Sequence, residues 1–193
     1  MITENGWPSC TASQLDRSPV PGTGIIIPLQ IGQPSIILKA FAADIHAFAE
    51  SLLNARGGTD EGGWTPTNSV ATSNHLGGTA VDLNWTDHPM GNEYAGWSPS
   101  EIAEVRKILA FYTYKGLQIV WWANDWNSPK DSMHFQMGYY TYNDPRVAEF
   151  ITKFIRADGF STYRRGGATP SVPRKVVVPD AGGSFWNDVS QYQ

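Results

Sequence analysis

Two histidines and one aspartate in the middle of the chain have the residue types of a catalytic metal site. His75 precedes a strand-like segment that carries Asp82, and His134 begins a later apolar segment. Two imidazoles and one carboxylate leave one position of a tetrahedral zinc ion open, which is the pattern of catalytic rather than structural zinc sites. Softer metals prefer sulfur and calcium takes more oxygen ligands, so zinc is the metal that this set predicts.

Asp82 is not expected at the protein surface, because it lies in the mostly apolar segment AVDLNW. A buried carboxylate needs a compensating partner, and a divalent cation is an effective one. Gly77 and Gly78 allow the backbone to bend between His75 and Asp82. On residue types and spacing alone a second interpretation stays open, in which these histidines and aspartates form ordinary hydrogen bonds or face solvent.

Asp131 lies three residues before His134, on the turn that enters the same segment. Zinc lowers the pKa of a coordinated water towards neutrality, and a neighbouring carboxylate can take the proton and pass it to a leaving amine. We therefore predict that Asp131 is a general base and acid and not a metal ligand.

A long helix is predicted upstream of these residues. Residues 34–55 repeat apolar side chains at three- and four-residue spacing, and Gly57 and Gly58 then favour helix termination. His46 lies off the apolar stripe, so we expect it on the solvated face. Residues 59–74 show no regular period, and a loop of this length in a compact domain is usually functional or disordered.

The remaining segments predict an α+β fold. Ser98, Pro99 and Glu101 form a helix start, with a capping serine, a proline in the first turn and a glutamate three residues after the cap. The predicted elements are strands at 25–27, 79–85, 118–122 and 134–137 and helices at 34–55, 98–114 and 145–158. A small antiparallel sheet that carries the metal site would then pack with about three helices.

Composition and cysteine content exclude several classes of protein. A net charge of −4 argues against a nucleic-acid binder, which is normally basic. The longest apolar runs are short and interrupted by proline, so membrane insertion is not expected. The single cysteine, Cys10, forms no intrachain disulfide, and the N-terminus lacks the pattern of a signal peptide. We expect a monomer that is made in the cytoplasm.

Changes in composition divide the chain into three parts. Residues 1–163 form the predicted zinc-binding catalytic domain, of which 1–33 is an irregular Pro- and Gly-rich arm. Residues 164–183 are rich in Pro, Gly and basic residues and are typical of a linker. Residues 184–193 are either a disordered tail or the start of a second domain.

Two segments resemble the signatures of a known family. SNHLGGTAVDLNW resembles the S-x-H-x-x-G-x-A-x-D signature of the D-alanyl-D-alanine carboxypeptidase and L-alanyl-D-glutamate endopeptidase family, and KDSMHFQM resembles its second signature. The resemblance covers about residues 36–140. It implies one zinc ion per chain on His75, Asp82 and His134, catalysis by Asp131, and the fold of the hedgehog and D-Ala-D-Ala peptidase group.

The same resemblance suggests residues that contact substrate. Ser73 matches the serine of the first signature and either bonds within the site or caps the turn before the first histidine. Arg56 is the nearest candidate for the arginine that holds a substrate carboxylate in this family, although a long insertion follows it. Trp126 either stacks on a stem peptide or sugar or packs inside the protein. His88 either stabilises a tetrahedral intermediate or is an ordinary loop histidine.

The arm segments GWPSC and VPGTGIIIPLQ and the loop WTPTNSVATSNHL more narrowly resemble endolysins of actinobacterial phages. This implies a peptidoglycan hydrolase that is made in the host cytoplasm without a signal peptide and acts on the cell wall after release. An endolysin context favours endopeptidase cleavage at the L-Ala–D-Glu bond of the stem peptide. A D-Ala-D-Ala carboxypeptidase and a non-catalytic wall-binding module stay open. The tail resembles the opening strand of Chalaropsis-type muramidases, but no carboxylate pair for that reaction is evident.

Overall fold

Three helices pack with small antiparallel sheets in the computed structural model, which describes residues 1–53 and 60–163. The predicted α+β class is confirmed. The helices are α1 (Gln33–Asp44), α2 (Pro99–Phe111) and α3 (Pro145–Phe154). The strands are β1 (Leu15–Asp16), β2 (Leu29–Gln30), β3 (Ala80–Asp82), β4 (Thr113–Tyr114), β5 (Leu117–Gln118), β6 (Val120–Trp122) and β7 (His134–Met137).

The central sheet has the strand order β3-β7-β6 and is antiparallel throughout. Asp82 on β3 is paired directly with His134 on β7. Paired residues on neighbouring strands project to the same face of a sheet, so the register alone places these two side chains side by side. The next pair, Val81 and Phe135, projects to the opposite face and is fully buried in the core. One face of the sheet therefore supports the core and the other carries the site.

The predicted helix at 34–55 is wrong at its C-terminal end. α1 stops at Asp44, a single π-helical turn follows at Ile45–Ala49, and Glu50 is extended with φ −151° and ψ 136°. The departure from helical geometry brings the Glu50 carboxylate into the interior, where Oε2 accepts a hydrogen bond of 2.6 Å from Asn84 and lies 2.7 Å from His88 Nε2. These partners are 34 and 38 residues away in sequence, beyond the reach of a periodicity argument.

The expectation of a solvated His46 is also wrong. Its side chain is buried, with 2% of its surface exposed, and Nδ1 accepts the backbone N–H of Leu52 at 3.0 Å. A π-helical turn has more residues than an α-helical turn, so the face on which a side chain lies differs from that given by the 3.6-residue period.

The N-terminal arm is part of the core rather than a loose extension. The predicted strand at 25–27 is reduced to an isolated bridge between Ile26 and Pro19, while Ile25 and Ile27 are buried in the core and the strand pairing of the arm is that of β1 with β2. Trp7 is 5% exposed, and its indole N–H donates to Thr141 Oγ1 at 2.8 Å. The arm is thereby fixed against the end of the central sheet, close to the metal-site residues.

The predicted start of α2 is confirmed. The Ser98 side chain accepts the backbone N–H of Glu101, and Glu101 Oε2 accepts the backbone N–H of Ser98 at 2.7 Å. Both later helices end earlier than predicted: α2 gives way to the hairpin of β4 and β5, and α3 ends where Ile155 pairs with Ser161.

The predicted strands at 79–85 and 118–122 are shorter in the structure. β3 ends at Asp82, and two residues later Asn84 has a positive φ of 48°, which no regular strand contains. Residues 118–122 are divided between β5 and β6. Within the part of the chain described, no helix has the length and apolar character needed to cross a membrane. Arg56, the predicted linker at 164–183 and the tail at 184–193 lie outside the described residues.

Candidate metal centre

The three predicted metal ligands converge at one point. One ligand atom each from His75, Asp82 and His134 lies within 4.8 Å of the others, and all three side chains are buried. His75 Nε2 lies 3.2 Å from His134 Nδ1 and 3.2 Å from Asp82 Oδ2, while His134 Nδ1 lies 3.0 Å from Asp82 Oδ1. Ligand atoms around a tetrahedral zinc ion with bonds of about 2.0–2.1 Å are about 3.3 Å apart. The donor set and its spacing therefore fit zinc, and the cluster could hold such an ion.

A short 3₁₀ turn, Asn74–Gly77, presents His75 to the site. Ser73 Oγ accepts the backbone N–H of His75 at 3.3 Å at the start of the turn, which is the capping role considered for this serine. Gly78 ends the turn with a φ of +60°. A Cβ at this position would lie 2.7 Å from the backbone nitrogen of Gln30, so the bend predicted between the two ligands depends on glycine here.

The orientation of the His75 ring is fixed by the segment that precedes it. His75 Nδ1 lies 2.6 Å from the backbone carbonyl oxygen of Gly63, which can only accept a hydrogen bond. The ring nitrogen Nε2 is then left with its lone pair towards Asp82 and His134. Gly63 itself is tightly enclosed, because a Cβ there would lie 2.3 Å from the carbonyl oxygen of Pro28.

The charges of the ligand cluster are strongly coupled. Burial alone would raise the pKa of Asp82, but the positive charges of His75 and His134 and their hydrogen bonds hold it well below its usual range. Burial would lower the pKa of His134, yet the hydrogen bond and charge of Asp82 raise it to about 9. Asp82 is thus a permanent anion, and protons compete with a metal for His134.

Asp131 lies beside the cluster without joining it. The side chain is 7% exposed, and Oδ1 accepts the backbone N–H of Met133 at 3.3 Å. Burial, followed by the negative charge of Asp82, raises the pKa of Asp131 to about 6. A carboxylate with a pKa near neutrality can both accept and donate a proton, which suits general acid–base chemistry.

Two cavities meet at the ligand cluster. A cavity of about 330 Å³ is bordered by His75, Asp82, His134 and Asp131, and its remaining described lining residues are Glu4, Asn68, Val70, Ser73, Asn74, Met90, Trp126 and Pro129. A second cavity of about 190 Å³ also borders His75 and Asp82, and its other lining residues are Pro28, Glu61, Gly62, Gly63, Trp64, Thr65 and Trp85. Among these described residues neither cavity has a lysine or an arginine.

The residues predicted to contact substrate do not all lie at the ligand cluster. Ser73 and Trp126 line the larger cavity, with the Trp126 ring centroid 5.2 Å from that of His134. His88 lines neither cavity. It is fully buried, lies 2.7 Å from Glu50 Oε2, and stacks on Trp97 with a centroid distance of 3.8 Å. The structure therefore places His88 in the core, and Arg56 lies outside the described residues.

Glu4 and Gly63 reach the site without having been predicted from the sequence. Glu4 lies in the arm and contacts Asn74, next to the first ligand. The segment before the first ligand pairs with β3, where Gly62 and Asp82 exchange two backbone hydrogen bonds of 2.9 Å. This pairing fits a functional interpretation of the 59–74 loop. The glycine pair in EGGW was the only sequence signal for a close backbone approach.

Residues 67–137 match the model of a family described as D-alanyl-D-alanine carboxypeptidase. The match supports a peptidase. It contains His75, Asp82, Asp131 and His134, and the convergence of the two histidines with Asp82 suggests zinc dependence. Neither the curated proteins nor the solved structures gave a match to the chain.

Proposed function

We propose that this protein is a zinc-dependent peptidoglycan peptidase that cleaves an internal amide bond of the stem peptide, of the L-Ala–D-Glu type. The observation that carries the proposal is the compact arrangement of His75, Asp82 and His134 beside Asp131, within a segment that matches a peptidase family. The resemblance of the arm and the 59–74 loop to phage endolysins supports action on the bacterial wall after release from a host cell.

The donor set fits a zinc ion held by His75 Nε2, a carboxylate oxygen of Asp82 and His134 Nδ1. When bound, zinc supplies a Lewis acid that polarises an amide carbonyl and lowers the pKa of water. Asp131 takes the proton of the attacking water and delivers it to the nitrogen of the leaving amine. Its burial keeps competing solvent away and raises its pKa above that of an exposed aspartate, so the group is a stronger base than an ordinary aspartate.

The two cavities favour an endopeptidase over a carboxypeptidase. They share His75 and Asp82, so a peptide bound across the cluster has space on both sides of the scissile bond. A carboxypeptidase has to hold a terminal carboxylate, normally with a cation, and the described residues of both cavities provide none. D-Ala-D-Ala carboxypeptidase activity is the second candidate, because the matched family carries that description. Arg56 would be the cation that it requires.

Purified peptidoglycan digested with the zinc-loaded protein tests the proposal. We expect new free amino groups, and mass spectrometry of the released fragments should show cleavage between L-Ala and D-Glu. Asp131→Asn is the catalytic variant, and Asp158→Asn, an exposed carboxylate that lines neither of these two cavities, is the matched control. Release of D-Ala alone would support the carboxypeptidase instead. Wall binding without any cleavage would show a non-catalytic module and contradict both.

A further inference from the structure

A chain of amide side chains connects the N-terminal arm to the ligand His134. Gln136 is fully buried on β7, and its Oε1 lies 3.0 Å from His134 Nε2 and 2.7 Å from Asn74 Nδ2. Gln136 Nε2 donates to Glu4 Oε2 at 3.4 Å, and Asn74 Nδ2 donates to the same oxygen at 2.8 Å. Four residues from three separate segments thus share one network.

The direction of every hydrogen bond in this network follows from its two ends. At one end the backbone N–H of Asn5 can only donate, and it donates to Asn74 Oδ1 at 2.9 Å. The amide nitrogen of Asn74 must then face Gln136 and Glu4. Because Asn74 Nδ2 donates to Gln136 Oε1, the oxygen of Gln136 lies on the side of Asn74 and His134, and its amide nitrogen faces the Glu4 carboxylate.

His134 Nε2 therefore meets an acceptor that has no proton to give. A hydrogen bond forms only if Nε2 carries the ring proton, and the neutral ring then has its lone pair on Nδ1. Nδ1 is the atom that lies 3.0 Å from Asp82 Oδ1 and 3.2 Å from His75 Nε2. The tautomer set by the network is the one that a metal ion at this cluster requires.

We propose that Gln136 is the positioning residue of the metal site, and that Asn74 and Glu4 of the arm orient it so that His134 ligates through Nδ1. The inference rests on the proposed zinc site. It gives the arm a role in the chemistry, because Asn5 and Glu4 define the two ends of the network.

Gln136→Met removes the acceptor and keeps the length of the side chain. We expect zinc affinity, measured by competition with a chromogenic chelator, to fall about 10- to 100-fold, which is the usual effect of losing such a partner of a metal ligand. The Glu4→Gln, Gln136→Glu double variant exchanges the amide and the carboxylate and retains an acceptor for Nε2–H, so its affinity should stay close to that of the wild type. Gln118→Met on β5, which lines neither cavity, is the matched control.

Two-bond ¹H–¹⁵N correlation spectra supply the readout that a purely structural role would not change. In the zinc-loaded wild type the His134 proton should be on Nε2 and exchange slowly, and in Gln136→Met it should exchange rapidly. A wild-type proton on Nδ1, or unchanged affinity and exchange in Gln136→Met, would overturn the inference. If the wild type binds no zinc, the proposed function fails, whereas zinc binding that is equally tight in the wild type and in Gln136→Met overturns this inference alone.

Discussion

His134 Nδ1 lies 3.0 Å from Asp82 Oδ1 because the two residues are direct partners on the antiparallel strands β7 and β3. Two of the three ligand positions are therefore set by the register of the central sheet. A shift of the register by one residue would turn one of these side chains to the opposite face, where the Val81 and Phe135 pair packs. Only His75 reaches the site from a turn outside the sheet.

Substitution of Gly63 tests whether its carbonyl group orients the His75 ring. Gly63→Ala places a Cβ 2.3 Å from the Pro28 carbonyl oxygen, so the backbone must move and the hydrogen bond to His75 Nδ1 is displaced. We expect zinc affinity to fall about 10- to 100-fold. Gly24→Ala is the matched control, because a Cβ there meets nothing within 4 Å. Equal affinity of the two variants by chelator competition would show that Gly63 does not orient the ligand.

Asp131→Asn should separate catalysis from metal binding. The amide cannot act as a base, so the rate of cell-wall cleavage should fall about 100- to 10,000-fold while the zinc content stays at the wild-type level. Loss of zinc together with activity would instead identify Asp131 as a ligand. Steady-state cleavage assays and metal analysis on the same samples distinguish the two results.

The pH dependence of cleavage should report the ionisation of Asp131. The base acts only when it is deprotonated, so kcat/KM should fall as the pH decreases through the pKa of Asp131, which is raised to about 6 in the metal-free protein. A bound zinc cation favours the ionised carboxylate and moves the midpoint below 6 rather than above it. The residual activity of Asp131→Asn should not show this decrease of kcat/KM at low pH. If the decrease of kcat/KM kept the same midpoint pH in Asp131→Asn, it would come from the ionisation of another group.

Stability in the presence of a chelator should depend on pH through His134. Its pKa is raised from 6.5 to about 9, so the stabilisation by its protonated form is complete below pH 6.5 and is lost as the pH rises through 9. The corresponding loss in the free energy of unfolding is on the order of 3 kcal/mol. Urea denaturation of metal-free protein at both pH values measures it. A loss of the same size in His134→Asn would contradict the assignment.

Removal of His88 should affect stability and not the metal site. His88→Ala removes one of two side chains that contact the buried Glu50 carboxylate, the other being Asn84, and also the ring stacked on Trp97. We expect a decrease of about 3–5 kcal/mol in the free energy of unfolding. Activity per folded molecule at low temperature should be unchanged. A stable but inactive variant would show that His88 takes part in catalysis.

Sequence patterns predicted those parts of the fold that depend on contacts between residues close together in the chain. The α2 start was predictable because the cap consists of Ser98 and Glu101, three residues apart. The metal-site residues were found through their signatures rather than through periodicity. The end of α1 was not predictable, because Glu50 leaves the helix for partners more than 30 residues away. The contacts of Glu4 with Asn74 and Gln136 span 70 and 132 residues and give no sequence signal.

The zinc content of the purified protein tests whether His75, Asp82 and His134 form a zinc site. We expect one tightly bound zinc ion per wild-type chain and none in His75→Ala, Asp82→Ala or His134→Ala, each compared with the Asp158→Asn control. X-ray absorption at the zinc edge should show two imidazole nitrogens and a carboxylate oxygen at about 2.0–2.2 Å. A wild type without zinc, or a His134→Ala variant that retains it with unchanged coordination, would contradict the account.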